Sequence, residues 1–426
     1  MLDIQILRDD PERVRQAMRD KGFADVDVVD HALALDAQRR EKLTALQEAQ
    51  SRSNTVSKEI GQLMREGRRD EAEARKRETG TLKEMIRALE EEARSAEAQQ
   101  AKLLLEVPNL PHPSVPVGRT PADNQVVHEE GERPAFDFAP LPHWELAARH
   151  GLIDFERGAK VTGAGFPFYL GKGARLQRAL VNFFLDQAAT HGGYTEVEAP
   201  FVVNEDSARG TGQLPDKEDL MYEAARDRLY LIPTAEVPLT NFLRDEIVEE
   251  AELPVRFCGY TPCFRREAGS YGKDVRGLNR LHQFDKVELV QIVHPETSYE
   301  ALEQLREDAE RPLRLLGLPY RRLLMCTGDM GFTQTKKYDL EVWSAGQERW
   351  LEVSSISNFE AFQARRMAIR FRPAGGGKPV LVHTLNGSGL ALPRVVAALL
   401  ENNQQPDGTI AIPEALQPYT GFDRIG

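Results

Sequence analysis

A long stretch without proline constrains this chain more than any other feature. From His31 to Leu105 the sequence is rich in Ala, Glu, Gln, Arg and Leu. Intervals of four and three residues connect mostly apolar positions there, which is the spacing of a coiled-coil seam. The seam runs through Leu35, Arg39, Lys42, Leu46, Ala49, Ser53, Val56, Ile60 and Leu63, and then through Leu82, Ile86, Leu89, Ala93, Ala96, Gln100 and Leu103. The stretch therefore predicts two long helices, each with a narrow stripe that polar residues interrupt.

The segment REGRRDE, which includes Gly67, separates the two halves and predicts a turn. Two helices of about 35 residues, each rising about 1.5 Å per residue, then form an antiparallel rod of roughly 50 Å. Coiled coils commonly serve dimerisation or tethering, and that interpretation stays open. Basic residues near the turn are also candidates for phosphate contacts. They are Arg65, Arg68, Arg69, Arg75, Lys76 and Arg77.

Both ends of the rod are marked in the sequence. Residues 1–25 predict a short strand and then a helix, with Asp10 as its cap and Pro11 in its first turn. Residues 107–118 read VPNLPHPSVPVG, and their prolines forbid a helix and favour an extended linker. We therefore expect an N-terminal domain over 1–106, with a helical arm over about 27–105, and a second domain over 119–426.

The second domain changes repeatedly between helical and strand periodicity, which predicts an α+β fold with an antiparallel sheet. Its first helix is GARLQRALVNFFLDQAATHGG, which ends at Gly192 and Gly193. One face of this helix is apolar and consists of Leu176, Leu180, Phe183, Phe184 and Ala188. The strand YTEVEAPFVV follows, with Pro200 where a sheet edge or an interface can accept it. This helix and strand form either part of the core or a dimer contact.

Composition limits the functional classes. Within 426 residues, no run approaches the roughly 18 apolar residues of a membrane span, and the N-terminus lacks the basic and apolar regions of a secretion signal. We therefore expect a cytoplasmic protein without a membrane partner.

Cys258, Cys263 and Cys326 lack CxxC spacing, which argues against disulfides and a four-thiolate zinc site. The net charge of −12 neither supports nor excludes nucleic acid, which needs only a local basic surface.

Residues 264–288, FRREAGSYGKDVRGLNRLHQFDKVE, predict an antiparallel hairpin with a long polar loop that contains glycines. Side chains alternate along a strand, so Arg265 and Glu267 share a face of the outgoing strand. The returning strand carries His282, Phe284 and Glu288 on one face. A cation, an aromatic ring and carboxylates on one surface suit a phosphorylated ligand with a base. A solvated face with an Arg–Glu pair explains the hairpin equally well.

Two further segments carry oxygen ligands. In TAEVPLTN, Thr234 and Glu236 suit an ammonium and a small polar group, although a capped helix start is the commoner fate of such a pair. In RWLEVSSISNF, Glu352 and Ser355 suit magnesium when phosphate completes its shell. Because these two residues have opposite parity on a strand, joint coordination requires a strand end or a β-bulge. Otherwise the segment is an ordinary strand end.

The segment LNGSGLALPRVVAALLENNQ, residues 385–404, predicts a tight strand-to-helix junction. Gly387 and Gly389 let the backbone approach a ligand, Ser388 offers a hydroxyl, and Arg394 lies in the first helical turn, where an anion is favoured. A glycine-rich turn that caps a core helix is the alternative. The chain has no GxxxxGKS/T, no GxGxxG opening a βαβ unit, no GxSxG and no HExxH, which disfavours the sites that these motifs build.

Several of these segments resemble one family when they are taken in order. The long helix with its proline strand, the FRREAG…HQFDKVE hairpin and the GSGLALPR junction resemble motifs 1, 2 and 3 of class II aminoacyl-tRNA synthetases. The strings TAEVPLTN, GTGQLPDKEDLMY, TGDMGFTQTKKYDLEVW and EVSSISNFEAFQARR, with the helical hairpin, are similar to the bacterial type of the seryl-tRNA synthetase family. The resemblance covers essentially the whole chain. It implies an antiparallel class II catalytic domain preceded by a helical tRNA-binding arm.

The resemblance also implies roles for matching positions. It assigns the α-phosphate to Arg265, the adenine amino group to Glu267, adenine stacking to Phe284, a backbone contact with adenine to Leu281, and the γ-phosphate to Arg394. The implied ATP site further contains Arg266, Glu352, Val353, Ser354 and Ser355, with magnesium on Glu352 and Ser355. The implied serine pocket contains Thr234, Ala235, Glu236, Arg265, Glu288, Asn386 and Ser388. Arg265, Arg394 and Glu352 are the implied catalytic residues.

The implied reaction joins serine to tRNA in two steps. The serine carboxylate attacks the α-phosphorus of ATP and pyrophosphate leaves, after which a terminal ribose hydroxyl of tRNA attacks the seryl-adenylate. Arg265, Arg394 and Mg²⁺ neutralise phosphate charge, so no protein nucleophile is needed. The implied partners are ATP, magnesium, L-serine, tRNA(Ser), tRNA(Sec) and a second subunit of a homodimer. The helical arm of one subunit is implied to contact the tRNA that is bound to the other subunit. No zinc is expected.

Two residues depart from the family pattern, and two other functions stay open. Arg266 replaces a smaller polar residue, and its side chain is expected on the face opposite to that of Arg265. Pro393 replaces a glycine, which a first helical turn tolerates. One alternative function is an amino-acid-activating paralogue without tRNA, against which the intact arm speaks. The other is an interaction protein with an inactive synthetase fold, against which the retained site residues speak.

Overall fold

The structure is a computed structural model that describes residues 1–215, 217–267 and 276–426. The chain forms two compact units, Leu2–Pro108 and Asn109–Gly426. Among the described residues, no helix has the length and apolar character needed to span a bilayer.

The first unit is helical. Its helices are α1 (Ile4–Asp9), α2 (Pro11–Asp20), α3 (Val28–Arg65) and α4 (Arg69–Leu104). The short N-terminal strand that we predicted is wrong, because the Asp3 side chain accepts the N–H of Gln5 and caps a helix there instead. The predicted cap of α2 is confirmed, since Asp10 accepts the N–H of Arg13 at 2.9 Å.

The predicted helical rod is confirmed by α3 and α4, which pack along each other. The turn between them contains Gly67 with a φ of +77°, a conformation that favours glycine. Every residue of the predicted seam is buried or half-buried. Ion pairs border the seam, including Lys42 with Glu92 at 2.8 Å and Arg39 with Glu97 at 3.2 Å.

A buried carboxylate fixes the base of the rod. Asp36, which is 0% exposed, accepts hydrogen bonds from Arg8 Nε at 2.7 Å, Arg40 Nε at 3.0 Å and Gln100 Nε2 at 3.2 Å. Because a buried charge is costly unless it is paired, these bonds define how α1, α3 and α4 meet. The Arg8 guanidinium, helped by Gln100 and opposed by burial, holds the pKa of Asp36 below its usual value.

The second unit contains nine further helices among its described residues. They are α5 (His143–Arg149), α6 (Phe155–Val161), α7 (Gly171–His191), α8 (Glu205–Thr211), α9 (Glu236–Asn241), α10 (Ser298–Leu315), α11 (Ala361–Met367), α12 (Leu392–Asn402) and α13 (Gln417–Thr420). Its strands are β1 (Gln125–Glu130), β2 (Ile153–Asp154), β3 (Phe168–Tyr169), β4 (Thr195–Glu196), β5 (Val202–Asn204), β6 (Glu223–Ala224), β7 (Leu229–Leu231), β8 (Ile247–Glu249), β9 (Val255–Phe264), β10 (Gln283–Val293), β11 (Tyr320–Leu324), β12 (Lys336–Ser344), β13 (Arg349–Asn358), β14 (Arg370–Arg372), β15 (Val380–Leu381), β16 (His383–Ala391), β17 (Ile410–Ala411) and β18 (Arg424–Ile425).

An eight-stranded sheet organises this unit, with the order β1-β11-β12-β13-β16-β10-β9-β4. All neighbouring strands are antiparallel except β4 and β9, which confirms the predicted antiparallel sheet. The predicted hairpin is confirmed as β9 and β10, with Phe264 opposite Gln283. The predicted loop glycines Gly269 and Gly272 lie outside the described residues. On β10, Val287 and Leu289 face the core formed with α7, α10 and α12. On the other face, Val290 and Ile292 pack in a second apolar cluster, which leaves Lys286 and Glu288 for a site.

The helix predicted after residue 170 is confirmed as α7, and its predicted apolar face is buried. The single strand predicted after it is wrong. Thr195–Glu196 and Val202–Asn204 belong to different sheets, with Pro200 between them. A proline lacks the N–H that a continuous ladder requires, so the chain leaves one sheet there and enters another.

Replacement of the buried carboxylate tests the account of the rod. A lowered pKa means that ionised Asp36 stabilises the folded unit above the ordinary carboxyl range, and that this contribution is lost as the pH falls through the folded pKa. We expect Asp36→Asn to reduce the free energy of unfolding by about 2 kcal/mol at pH 7 and to weaken its pH dependence below about pH 4. Urea unfolding measures both effects. The exposed Asp30, which pairs with Arg15, supplies the control variant Asp30→Asn, and an equal loss in both would contradict this account.

Candidate active site

A cleft of about 580 Å³ opens where β10, β13 and β16 meet α9 and the first turn of α12. Most of the residues predicted from the sequence line it. They are Thr234, Glu236, Arg265, Glu267, Leu281, Phe284, Glu288, Glu352, Val353, Ser354, Ser355, Asn386, Ser388 and Arg394. Two predicted residues are not part of its wall. Ala235 is 0% exposed, and Arg266 lines a separate pocket with Tyr222 and Glu223, because its side chain leaves the strand on the other side from that of Arg265.

Buried acids occupy one end of the cleft. Glu236 and Glu288 are 6% and 1% exposed. Asn386 Nδ2 lies between them and donates to Glu236 Oε2 at 2.8 Å and to Glu288 Oε1 at 3.3 Å. Gln363 Nε2 donates to the other oxygen of Glu236 at 2.7 Å. These donors hold both carboxylates in fixed positions.

Lys286 pairs directly with one of these two acids. Lys286 Nζ lies 2.5 Å from Glu288 Oε2 and 2.8 Å from Thr234 Oγ1. Burial first and the charge of Glu288 second raise the pKa of Glu236 to about 7. The charges of Lys217, which also lines the cleft, and of Lys286 act against this rise. Because the Glu236 carboxylate is bonded to the neutral amides of Asn386 and Gln363, it can still accept an external cation.

Thr234 is both a structural residue and a cleft residue. α9 begins at Glu236, as the alternative interpretation of this segment predicted, but its N-cap is Ala235 and it has no side-chain cap. Thr234 lies one residue earlier, and its Oγ1 accepts the N–H of Glu236 at 3.2 Å. The same oxygen accepts from Lys286, and Thr234 also lines the cleft. The helix start thus brings a hydroxyl and a carboxylate to the same wall.

A β-bulge brings Glu352 and Ser355 to one face. On β12, Glu341 and Asp339 lie opposite Glu352 and Ser355, while Val353 is an extra residue on β13. Glu341 and Asp339 are two residues apart and point to the same side, so their partners on β13 do too. The condition that the sequence set for joint coordination by Glu352 and Ser355 is therefore met.

A second bulge lies in the neighbouring strand. Val287 pairs with Leu390 and Glu288 pairs with Ser388, so Gly389 is the extra residue on β16. The Ser354 hydroxyl donates to the Ser388 carbonyl at 2.7 Å and joins the two irregular segments. A side chain on Gly389 would meet Leu289 at 3.1 Å, and one on Gly387 would meet Leu305 at 3.2 Å. We expected these glycines to make room for a ligand, but the space beside their Cα atoms is filled by the core side chains of Leu289 and Leu305.

Two arginines and an aromatic ring form another part of the cleft wall, at the end that we assign to an anion. The Arg265 guanidinium carbon lies 5.1 Å from the centre of the Phe284 ring, and its Nε donates to the carbonyl of Pro233. Arg394 donates from Nε to the Asn279 carbonyl at 3.0 Å and from Nη1 to the Glu352 carbonyl at 2.8 Å. Pro393 lies in the first turn of α12, as predicted, and leaves Arg394 in the cleft wall. This end suits an anion with a flat group.

Several cleft residues were missed from the sequence. Lys286 has the same strand parity as Phe284 and Glu288, so alternation could have identified it. Lys337 Nζ lies 3.1 Å from Asp339, whose pKa burial raises to about 7 against the opposing charge of Lys337. Asn279 and Arg280 also line the cleft, and Arg280 pairs with Glu267. Both lie among residues 276–282, outside the strands, where sequence periodicity gives no signal.

The donor set fits magnesium held partly by a ligand. Among the described residues, no group of three or more His, Cys, Asp or Glu side chains could hold a metal ion by itself. Glu352 and Ser355 supply a carboxylate and a hydroxyl oxygen on one face, and the Glu352 side chain is 47% exposed. Hard oxygen donors that leave most of the shell open are typical of magnesium bound together with phosphate.

Comparisons with known proteins agree with this geometry. Residues 1–111 match the model of the seryl-tRNA synthetase N-terminal domain, and residues 220–403 match that of the tRNA synthetase class II core domain (G, H, P, S and T). The serine–tRNA ligase of Salinibacter ruber is 67% identical and covers 100% of this chain and 99% of its own length. That of Roseiflexus castenholzii is 52% identical and covers 99% and 98%.

Solved structures show the same likeness. The seryl-tRNA synthetase from Pyrococcus horikoshii complexed with ATP superposes with a TM-score of 0.94 at 37% identity, covering 100% of this chain and 99% of that chain. The cytoplasmic serine–tRNA ligase from Naegleria fowleri in complex with AMP gives 0.89 at 29% identity, covering 100% and 98%. The resemblance found in the motifs is thus confirmed over the full length. The chain belongs to the seryl-tRNA synthetase family of class II ligases, which form aminoacyl-tRNA.

Proposed function

We propose that this chain activates L-serine with ATP and transfers the seryl group to tRNA(Ser). The proposal is supported by the composition of one cleft, whose wall carries the buried carboxyl groups of Glu236 and Glu288 together with Arg265, Arg394 and the Phe284 ring. An amino acid presents an ammonium group and a carboxylate, and ATP presents a base and a chain of phosphates. The two ends of the cleft match these groups in order.

The acidic end is the proposed serine pocket. Glu236 and Glu288 attract the ammonium group, because Lys286 pairs with Glu288 whereas the Glu236 carboxylate is held by the neutral amides of Asn386 and Gln363. Thr234, Asn386 and Ser388 offer hydrogen bonds to a small polar side chain. A pocket that hydrogen-bonds a substrate hydroxyl strongly rejects an analogue that lacks it, because buried polar groups then stay unpaired.

The opposite end is the proposed ATP site. Phe284 stacks on adenine, while Glu267 and the Leu281 backbone contact its edge. Arg265 and Arg394 bind the α- and γ-phosphates. Glu352 and Ser355 hold the magnesium ion, which neutralises phosphate charge when it is bound. Because Arg394 is already held by two backbone carbonyls, it loses little freedom when phosphate arrives.

These residues catalyse by position and charge. Glu236 and Glu288 hold the amino acid so that its carboxylate faces Arg265 and the α-phosphorus. Arg265 stabilises the charge that develops there, and Arg394 stabilises the departing pyrophosphate. The terminal ribose hydroxyl of tRNA then attacks the seryl carbonyl and releases AMP. Each step breaks one bond to phosphorus or carbon and needs no covalent intermediate with the protein.

The helical arm is the proposed tRNA-binding element. Four of the six predicted basic residues at its tip have local partners, since Arg68 pairs with Glu71 at 2.6 Å, Arg75 with Glu78 at 2.6 Å and Lys76 with Glu73 at 2.5 Å, and Arg65 Nε donates to the Gly61 carbonyl at 3.2 Å. The other two, Arg69 and Arg77, are exposed, and within the described residues their side chains have neither an ion pair nor a hydrogen bond. We therefore assign the strongest phosphate contacts to Arg69 and Arg77.

A homodimer and a second tRNA complete the proposal. Phe201 and Val202 follow Pro200 and are 42% and 43% exposed, which fits an apolar face covered by a second copy. The intact arm also supports charging of tRNA(Sec) in addition to tRNA(Ser). We place this activity in the cytoplasm.

Pyrophosphate exchange tests the proposed function directly. We expect ATP–pyrophosphate exchange with serine, much weaker exchange with threonine and none with alanine, because alanine lacks the hydroxyl. Charging of tRNA(Ser) and tRNA(Sec) transcripts should follow. Exchange without charging would favour a paralogue that uses no tRNA, and a lack of exchange with every amino acid would refute the enzymatic proposal.

The pH dependence of serine binding tests the role of Glu236. Because its pKa is raised to about 7, Glu236 loses its proton as the pH rises from 6 to 8, and only the ionised form attracts an ammonium group. The KM for serine should therefore fall by roughly tenfold over this range. Glu236→Gln should raise the KM at pH 8 and remove most of the dependence, whereas an unchanged profile in this variant would refute the assignment.

Replacement of the unpaired arginines tests the arm. Arg69→Ala combined with Arg77→Ala should lower the rate of tRNA charging by about tenfold at moderate salt and leave serine-dependent exchange unchanged. The matched control is Lys76→Ala, since Glu73 already neutralises that lysine. Equal charging rates in the double variant and the control would show that the tip does not contact tRNA as proposed.

A further inference from the structure

A buried polar cluster lies outside the residues assigned to substrates. His143 and Glu401 are both 0% exposed, and His143 Nδ1 lies 2.7 Å from Glu401 Oε1. Glu401 also accepts from Gln347 Nε2 at 3.0 Å, from the Gly346 N–H at 3.0 Å and from the Ser344 hydroxyl. Although burial acts to raise it, hydrogen bonds from His143 and Ser344 hold the pKa of Glu401 below its usual value.

The contacts of His143 define its proton position. Its Nε2 accepts the backbone N–H of Leu278 at 2.8 Å, so this nitrogen carries no proton. The proton is therefore on Nδ1, which donates to Glu401. Glu401 fixes both the orientation of the ring and its tautomer, and the ring presents an acceptor to Leu278.

The cluster reaches the cleft by two routes through adjacent residues. Leu278 is bound through its N–H to His143, and Asn279 Nδ2 donates to Gln347 Oε1 at 2.9 Å. Leu278 and Asn279 both line the cleft. The carbonyl of Asn279 in turn accepts from Nε of Arg394 at 3.0 Å. A chain of hydrogen bonds thus runs from Glu401 to the guanidinium of Arg394.

Gly277 shows how closely this segment is fitted to the imidazole. It has a φ of +65°, and a Cβ at this position would come within 2.3 Å of His143 Nε2. Only glycine permits this approach, because such a contact would displace the ring or the backbone. The backbone from Gly277 to Asn279 is therefore held against the cluster.

We propose that the buried pair of His143 and Glu401 positions the ATP-binding wall of the cleft. The pair holds Leu278 and Asn279 in place, and through the Asn279 carbonyl it orients Arg394 toward the phosphates. His143 is thus a positioning residue that touches no substrate. The inference rests on the proposed function only in naming ATP as the ligand of this wall.

Two substitutions of His143 separate its contacts. In His143→Gln the longer amide can place its oxygen near the position of Nε2 and keep an acceptor for Leu278. In His143→Asn the shorter amide reaches Glu401 and leaves the Leu278 N–H without an acceptor. We expect calorimetry with magnesium present to show ATP binding weakened about tenfold in His143→Asn and less than about threefold in His143→Gln. The KM for serine in the exchange assay should change by less than about twofold in both.

A third variant and a control complete the experiment. Gln347→Met removes the acceptor of Asn279 and should also weaken ATP binding, so it decides the outcome if His143→Asn does not fold. His150→Asn, at the end of the same helix, controls for the loss of a histidine. Unchanged ATP affinity in the folded variants, or equal losses for ATP and serine, would overturn the positioning role. A lack of serine-dependent exchange in the unsubstituted chain, with the ATP effects intact, would refute the proposed function alone.

Discussion

The hydrogen bond from Ser354 to the Ser388 carbonyl joins the two β-bulges on which the cleft depends. The bulge at Val353 turns Glu352 and Ser355 to one side, and the bulge at Gly389 sets Ser388 opposite Glu288. A regular sheet would send half of these side chains into the core. Two extra residues in adjacent strands thus convert a packed sheet into a surface with oxygen ligands at defined positions.

The charged side chains of the cleft already have partners within the protein when no substrate is bound. Lys286 pairs with Glu288, Arg280 pairs with Glu267, and Arg394 is held by the carbonyls of Asn279 and Glu352. Buried charges require such partners. The same partners restrict the side-chain conformations before binding, so that less conformational entropy is lost when a ligand binds. In the proposed function, the substrates complete this network: ammonium meets Glu236 and Glu288, and phosphates meet the arginines.

Regular periodicity made most of the fold predictable. The seam of α3 and α4, the apolar face of α7 and the hairpin of β9 and β10 were read directly from residue spacing. The errors occurred where local chemistry overrides periodicity, as at the helix cap of Asp3 and the break at Pro200. In the site, opposite parity showed that Glu352 and Ser355 need a bulge, but spacing could not reveal Asn279 or the cluster of His143, because these contacts join segments distant in sequence.

A crystal structure of the full chain with ATP, magnesium and serine hydroxamate tests most directly whether the bulged sheet binds both substrates in one cleft. We predict that adenine stacks on Phe284, that magnesium lies on Glu352 and Ser355, and that the ammonium of the analogue contacts Glu236 or Glu288. ATP bound in the separate pocket beside Arg266, or magnesium held without Glu352, would contradict this account.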